Sequence, residues 1–190
     1  MGLAAEITVR EVARMVVELG LVDPSEPERR MDQEVFDETL EYFGYSDREA
    51  LLGLLDDLGI RYAYDYKAFR GINRVDDDAR EIWYAEELQR IAACTRGLIT
   101  ITNVALRPDS LEFDCNGNRV SWPVYPGDDE AVEASLVFAT YTFGLVAVGS
   151  SARWCTVEPV DEDFSAELVF GDPVALGQLG ERFGVTFSAD

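Results

Sequence analysis

Apolar side chains recur with a helical period through the first sixty residues and switch at Ile60 to the period of a strand. Thr8-Val9-Arg10-Glu11 has the spacing of a capping box, in which hydroxyl and carboxylate satisfy each other's orphan amides, and Val9, Val12, Ala13 and Val16 follow on one face before Gly20. After a connector at Asp23-Pro24-Ser25-Glu26-Pro27, Val35, Phe36, Leu40 and Phe43 form a second stripe ending at Gly44. Ser46-Asp47-Arg48-Glu49 repeats the capping box ahead of Leu51, Leu54, Leu55 and Leu58, with Gly59 as terminator. The pattern predicts three short helices before any strand.

Ile60, Tyr62, Tyr64 and Tyr66 then alternate with Arg61, Ala63, Asp65 and Lys67, as a strand with one apolar face requires. Ile82, Ala85, Leu88, Ile91 and Ala92 return to helical spacing up to Gly97, and Leu98 to Leu106 is rich in Ile, Thr and Val, a strand composition. Leu111–Cys115 and Arg119–Val124 flank Asn116-Gly117, and Asn-Gly supplies the positive φ angles of a tight hairpin turn. A helix is expected from about Asp129 to Phe143, then strands at Leu145–Val148, Arg153–Val157 and Ala166–Phe170. Asp172-Pro173 is an N-cap followed by proline at the first helical position, opening a last helix with Leu176, Leu179 and Phe183 that Gly184 closes. Strands joined by short turns imply an α+β fold: a largely antiparallel sheet with helices packed on one face and a helical N-terminal third. With no repeat or linker, residues 1–190 read as a single domain, helical over 1–59 and sheet-containing over 60–190.

Charge changes this picture from fold towards function. The chain carries 37 acidic and 16 basic residues, net −21. Residues 1–60 hold 15 acidic against 5 basic side chains and residues 126–190 hold 12 against 2, while the middle of the chain is nearly balanced. Such a field repels phosphate backbones, so direct nucleic-acid binding is disfavoured, and it steers a basic protein partner inward. Acidity also serves solubility, which is the plainer reading of the same numbers. No apolar run is long enough for a membrane span, and Glu6 and Glu11 interrupt the stretch where a secretory signal would be apolar, so the expected location is cytoplasmic.

The chemistry-bearing residues are sparse. Histidine is absent, which removes Ser-His-Asp and Cys-His catalysis, and there is no phosphate-cradling glycine motif. Cys94, Cys115 and Cys155 lack the spacing of a zinc site and read as reduced, partly buried small hydrophobes; no cofactor and no metal are expected. A carboxylate-dependent hydrolase stays open, since Trp83, Trp122, Trp154 and eight tyrosines accompany the acids, although Trp122 and Trp154 suit a sheet core. Asp161 to Glu167 offers oxygens at alternating positions with Asp172 at the twelfth, as an EF-hand loop does, but Ala166 stands where glycine is needed and Asp172 replaces the glutamate, leaving a turn with exposed acids.

What remains is a binding surface. The candidates are the acidic clusters Asp76-Asp77-Asp78, Asp128-Asp129-Glu130 and Asp161-Glu162-Asp163, with Tyr62 and Tyr64 from a tyrosine group that also includes Tyr42, Tyr45 and Tyr66. Tyrosine beside carboxylates suits contact with arginine or lysine; the alternative is that at least two of these rings belong to the core.

From Trp83 to Phe183, about half the chain, the sequence resembles immunity proteins of bacterial polymorphic toxin systems. The resemblance lies in a helix ending Glu87-Leu88-Gln89-Arg90-Ile91-Ala92, a Thr/Ile strand, and Phe113-Asp114-Cys115-Asn116-Gly117-Asn118-Arg119-Val120-Ser121-Trp122-Pro123-Val124, an Asn-Gly hairpin with a Ser-Trp pair preceding an acidic helix. It implies a cytoplasmic protein that neutralises a cognate toxin, a basic toxin or enzyme domain, by occluding its active site. Such proteins use variable surfaces, so no functional residue carries over. An acidic surface imitating nucleic acid, to block a DNA- or RNA-binding protein, is the other inhibitory reading.

Overall fold

The computed structural model describes residues 2–64, 66–69, 75–124, 138–145, 147–159 and 166–189. The fold is α+β, with a four-stranded sheet in the order β1-β6-β5-β7 and a three-stranded sheet in the order β2-β3-β4. The strands are β1 (Arg61–Tyr64), β2 (Ile101–Leu106), β3 (Ser110–Cys115), β4 (Asn118–Pro123), β5 (Arg153–Glu158), β6 (Ala166–Gly171) and β7 (Thr186–Ser188). The helices are α1 (Val9–Glu18), α2 (Glu26–Arg30), α3 (Asp47–Asp57), α4 (Tyr66–Phe69), α5 (Asp77–Cys94), α6 at residues 138–143 and α7 (Pro173–Phe183). The chain divides into two compact units: residues 1–61, 151–159 and 169–190 form the first, residues 62–150 and 160–168 the second.

In the first unit, both capping boxes form. Thr8 Oγ1 accepts from the Glu11 amide and Ser46 Oγ from the Glu49 amide, while each glutamate accepts from the cap residue's own amide. Fixed in this way, α1 buries Val9, Val12, Ala13 and Val16, and α3 buries Leu51, Leu54 and Leu55, with Leu58 just beyond. These side chains join Cys155, Val157 and Val169 of the sheet and Leu176, Leu179 and Phe183 of α7 in one apolar core. Asp172 caps α7 by accepting from the Val174 and Ala175 amides, and Gly184 ends it at φ 66°, the left-handed conformation that favours glycine. After this turn β7 pairs antiparallel with β5, Val157 opposite Phe187.

The stripe Val35–Phe43 does not form a helix. It resolves into two 3-10 turns, Gln33–Asp37 and Leu40–Phe43, separated by extended Glu38 and Thr39. The backbone here is committed elsewhere: the Val9 amide donates to the Glu38 carbonyl at 3.0 Å, the Leu40 amide donates to the Ile7 carbonyl at 2.9 Å, and Thr8 bridges Thr39. A helix would break these pairings, so Phe36 and Leu40 reach the core from turns instead. Conversely, the connector contains the short helix α2, with Pro27 in its first turn.

At the end of α3, Asp57 sits where the helix dipole is negative. Partial burial, and then the Asp56 carboxylate, raise its pKa above the ordinary value. Because the folded pKa lies above the unfolded value of about 3.9, its ionisation opposes folding; the favourable contribution is full below that pKa and lost as pH rises through the folded one. Asp57→Asn is therefore expected to stabilise the protein at pH 7 by roughly 0.3–0.5 kcal/mol, the size of a solvent-screened helix-end charge. The gain should vanish at pH 3. Urea midpoints at both pH values measure it, and a variant weaker than wild type at pH 7 would refute the assignment.

The second unit contains the β2-β3-β4 meander and α5. Asn116 (φ 50°) and Gly117 (φ 79°) make the β3–β4 turn as the Asn-Gly pair predicts. Leu111, Phe113 and Cys115 of β3 are buried, while Glu112 and Asp114 lie between them on the other face. Helix α5 is tied to β2 by Gln89 Nε2 donating to the Ile101 carbonyl at 3.0 Å and by the Leu106 amide donating to Glu81 at 2.7 Å. Strand β2 starts at Ile101, later than its composition suggested, and carries a register shift between Thr102 and Ala105, with Asn103 at φ 53°. Tyr66 belongs to a helical turn and not to β1, and Leu145, Ala147 and Val148 lie outside any strand. Of the helix expected over 129–143, residues 138–143 are helical; residues 125–137 lie outside the described residues.

Candidate protein-binding surface

Tyr62 and Tyr64 are interior residues, with 3% and 1% of their surface exposed. The Tyr62 hydroxyl donates to buried Glu87, whose other oxygen accepts from Arg90 at 2.7 Å, and the Arg90 guanidinium lies 5.1 Å over the Tyr62 ring. Tyr64 shares a hydrogen bond with Thr142 and packs edge-on against Phe138. Burial pushes the Tyr64 phenol far above its ordinary pKa. These two rings therefore brace the second unit, and alternation alone cannot distinguish a strand face turned to solvent from one turned to protein.

The acidic cluster at 76–78 is exposed, but part of it has a local task. Asp76 caps α5 by accepting from the Ala79 amide at 2.9 Å, and Asp77 pairs with Arg80 at 3.0 Å. Asp128, Asp129, Glu130, Asp161, Glu162 and Asp163 lie outside the described residues. Asp172, the last oxygen of the EF-hand-like pattern, is occupied as a helix cap; hydrogen bonds from Ser151 and then the Ala175 amide hold its carboxyl below the usual range.

Exposed charge differs in kind between the units. On the outer face of the three-stranded sheet, Arg119 pairs with Glu112 at 2.7 Å and Asp114 at 3.3 Å, Arg107 pairs with Glu112, and Asn103 donates to Asp114. This face is neutralised internally. In the first unit, Asp32, Glu34, Asp37, Glu38 and Glu41 are all exposed within ten residues that contain no basic side chain. Arg10 holds Asp37 at 2.9 Å, and the other four make no ion pair among the described residues. Tyr42 and Tyr45, directly after them, are 60% and 97% exposed. In the sequence these two tyrosines fall in one group with Tyr62 and Tyr64; the run of acids without a base, ending at Tyr42, is the signal that separates them.

Three cavities lie among the described residues, and none of the three joins an acid to a tryptophan. One of about 10 Å³, too small for a substrate, is lined by Tyr84, Leu111, Trp122, Phe138 and Tyr141 among others. Two in the first unit flank α1, about 250 Å³ beside Met15, Leu179 and Arg182 and about 210 Å³ beside Arg10, Arg14 and Phe36, and neither includes a tryptophan. Trp154 is buried edge-on against Phe170. Cys94, Cys115 and Cys155 are buried and form no disulfide among the described residues, and desolvation, then the charge of Asp172, push Cys155 up to about 11, away from the reactive thiolate. Among the described residues, no three Cys, Asp or Glu side chains gather as a metal site, and no helix is long and apolar enough to cross a membrane.

No protein-family model matches the chain, and comparison with curated proteins and with solved structures finds no match.

Proposed function

We propose that this is a non-catalytic acidic binding protein, an immunity protein that neutralises a basic bacterial toxin domain by covering its active site. The observation that supports this reading most directly is the surface of residues 32–41, where four exposed carboxylates have no cationic partner in the described structure. Unpaired carboxylates on one surface do little for the fold. They set up a negative potential that accelerates encounter with a basic surface and discriminates against acidic ones. The lack of histidine and the protonated, buried Cys155 fit a protein that acts by occupying a partner and not by turning over a substrate.

Affinity purification of the tagged protein from its native host, followed by mass spectrometry, tests the proposal. The expected result is one stoichiometric basic protein with an enzymatic toxin domain, whose activity falls on adding the purified acidic protein and recovers as salt weakens the complex. A preparation without such a partner, or a partner whose activity is untouched by the complex, would falsify it.

A further inference from the structure

We infer that the turn carrying Tyr42 and Tyr45 is the docking face for arginine side chains of a folded protein partner, an assignment that rests on the binding-protein reading above. Its two rings stand in solvent on a backbone that cannot readily move. Leu40, fully buried, fixes one end, and its amide is bonded to Ile7. At the other end Ser46 and Glu49 close the capping box of α3. Between these points the turn lies against the helix. A Cβ on Gly44 would fall 2.5 Å from Glu49 Cβ and 2.8 Å from the Ala50 amide nitrogen, and one on Gly53 would fall 2.8 Å from the Phe43 carbonyl oxygen. Tyr42 is further set edge-on against Phe43, with ring centroids 5.1 Å apart.

Large rings on a fixed backbone lose little entropy when covered, which is why tyrosine recurs among the few residues that dominate binding. The neighbours select the occupant. Glu38 and Glu41, exposed and without an ion pair among the described residues, precede the two tyrosines in the chain, exposed Glu49 follows them, and the adjacent basic residue, Arg48, is half-buried. A guanidinium answers both features, because it stacks on an aromatic face while its N–H groups pair with a carboxylate; an ammonium offers a point charge without the planar fork.

The test uses the full chain and two probes, a capped tetra-arginine peptide and its tetra-lysine counterpart, followed by ¹H–¹⁵N NMR. Arginine peptide is expected to shift amides of residues 41–49 first, and Y42A/Y45A should weaken it by roughly five- to thirtyfold, the worth of two exposed cation–π contacts. Y42F/Y45F should bind it as wild type does, and the lysine peptide should distinguish the variants by less than twofold. Both rings are solvent-exposed, so the alanine variant keeps its fold and its unperturbed spectrum shows this. Shifts spread evenly over the acidic surface, or equal affinity in Y42A/Y45A, overturn the assignment. Because no natural partner is needed, a failed host purification with a positive titration removes only the toxin reading, and a recovered partner with an indifferent titration removes only this face.

Discussion

Phe113→Ala is expected to cost the second unit about 3–5 kcal/mol, the range for deleting a buried aromatic ring whose cavity cannot close. Phe113 has no exposed surface and meets Trp122 edge-on at 4.8 Å from the neighbouring strand. Trp122 in turn packs against Phe138 at 5.3 Å, so the loss runs through a chain of rings that rigid strand pairing prevents from collapsing. Amide exchange along β3 and β4, compared between wild type and variant, reads this unit by itself. Protection lowered by less than tenfold would show that the site relaxes and that the ring stack is loose.

The second large effect separates two glycines of one helix. At Gly180 a Cβ would lie 2.2 Å from the Val185 carbonyl oxygen and 3.0 and 3.1 Å from the Phe187 ring, whereas at Gly177 nothing lies within 4 Å. Alanine gains up to about 1 kcal/mol over glycine in a helix interior, so Gly177→Ala should stabilise the protein. Gly180→Ala must push β7 away from α7, and since the closest atom is backbone it should destabilise by about 2–3 kcal/mol despite the same gain in propensity. Thermal melts of the two variants should move in opposite directions. Movement in the same direction would mean that the return of the chain after Gly184 is slack.

How much of this was legible in the sequence depended on whether the deciding interaction was local. Thr8 with Glu11, Ser46 with Glu49, Asn116-Gly117 and Asp172-Pro173 each act within four residues, and each appears where its spacing places it. The stripe at Val35–Phe43 has helical spacing too, but its backbone bonds go to Ile7 and Val9, some thirty residues away, which periodicity cannot register. Strand β7 is three residues long and pairs only because β5 leaves an edge for it. The same limit governs the candidate surface. Tyr42, Tyr45, Tyr62 and Tyr64 are equivalent as residue types beside acids; Glu87 and Thr142 claim the hydroxyls of two of them, and only the other two stand in solvent.

The first unit draws its core from segments far apart in the chain, and this sets the order of events during synthesis. Val12, Val16, Leu51 and Leu54 leave the ribosome early, but Val169, Leu176, Leu179 and Phe183, which complete their core, follow more than a hundred residues later. At 5–20 residues per second that interval is on the order of ten seconds. Throughout it the nascent chain carries two amphipathic helices that can cover each other only in part, because the apolar surface that Val169 and α7 complete still faces water, so a chaperone that shields this surface would raise the yield. Translation halted before residue 169 would release a sticky fragment and not a smaller working protein.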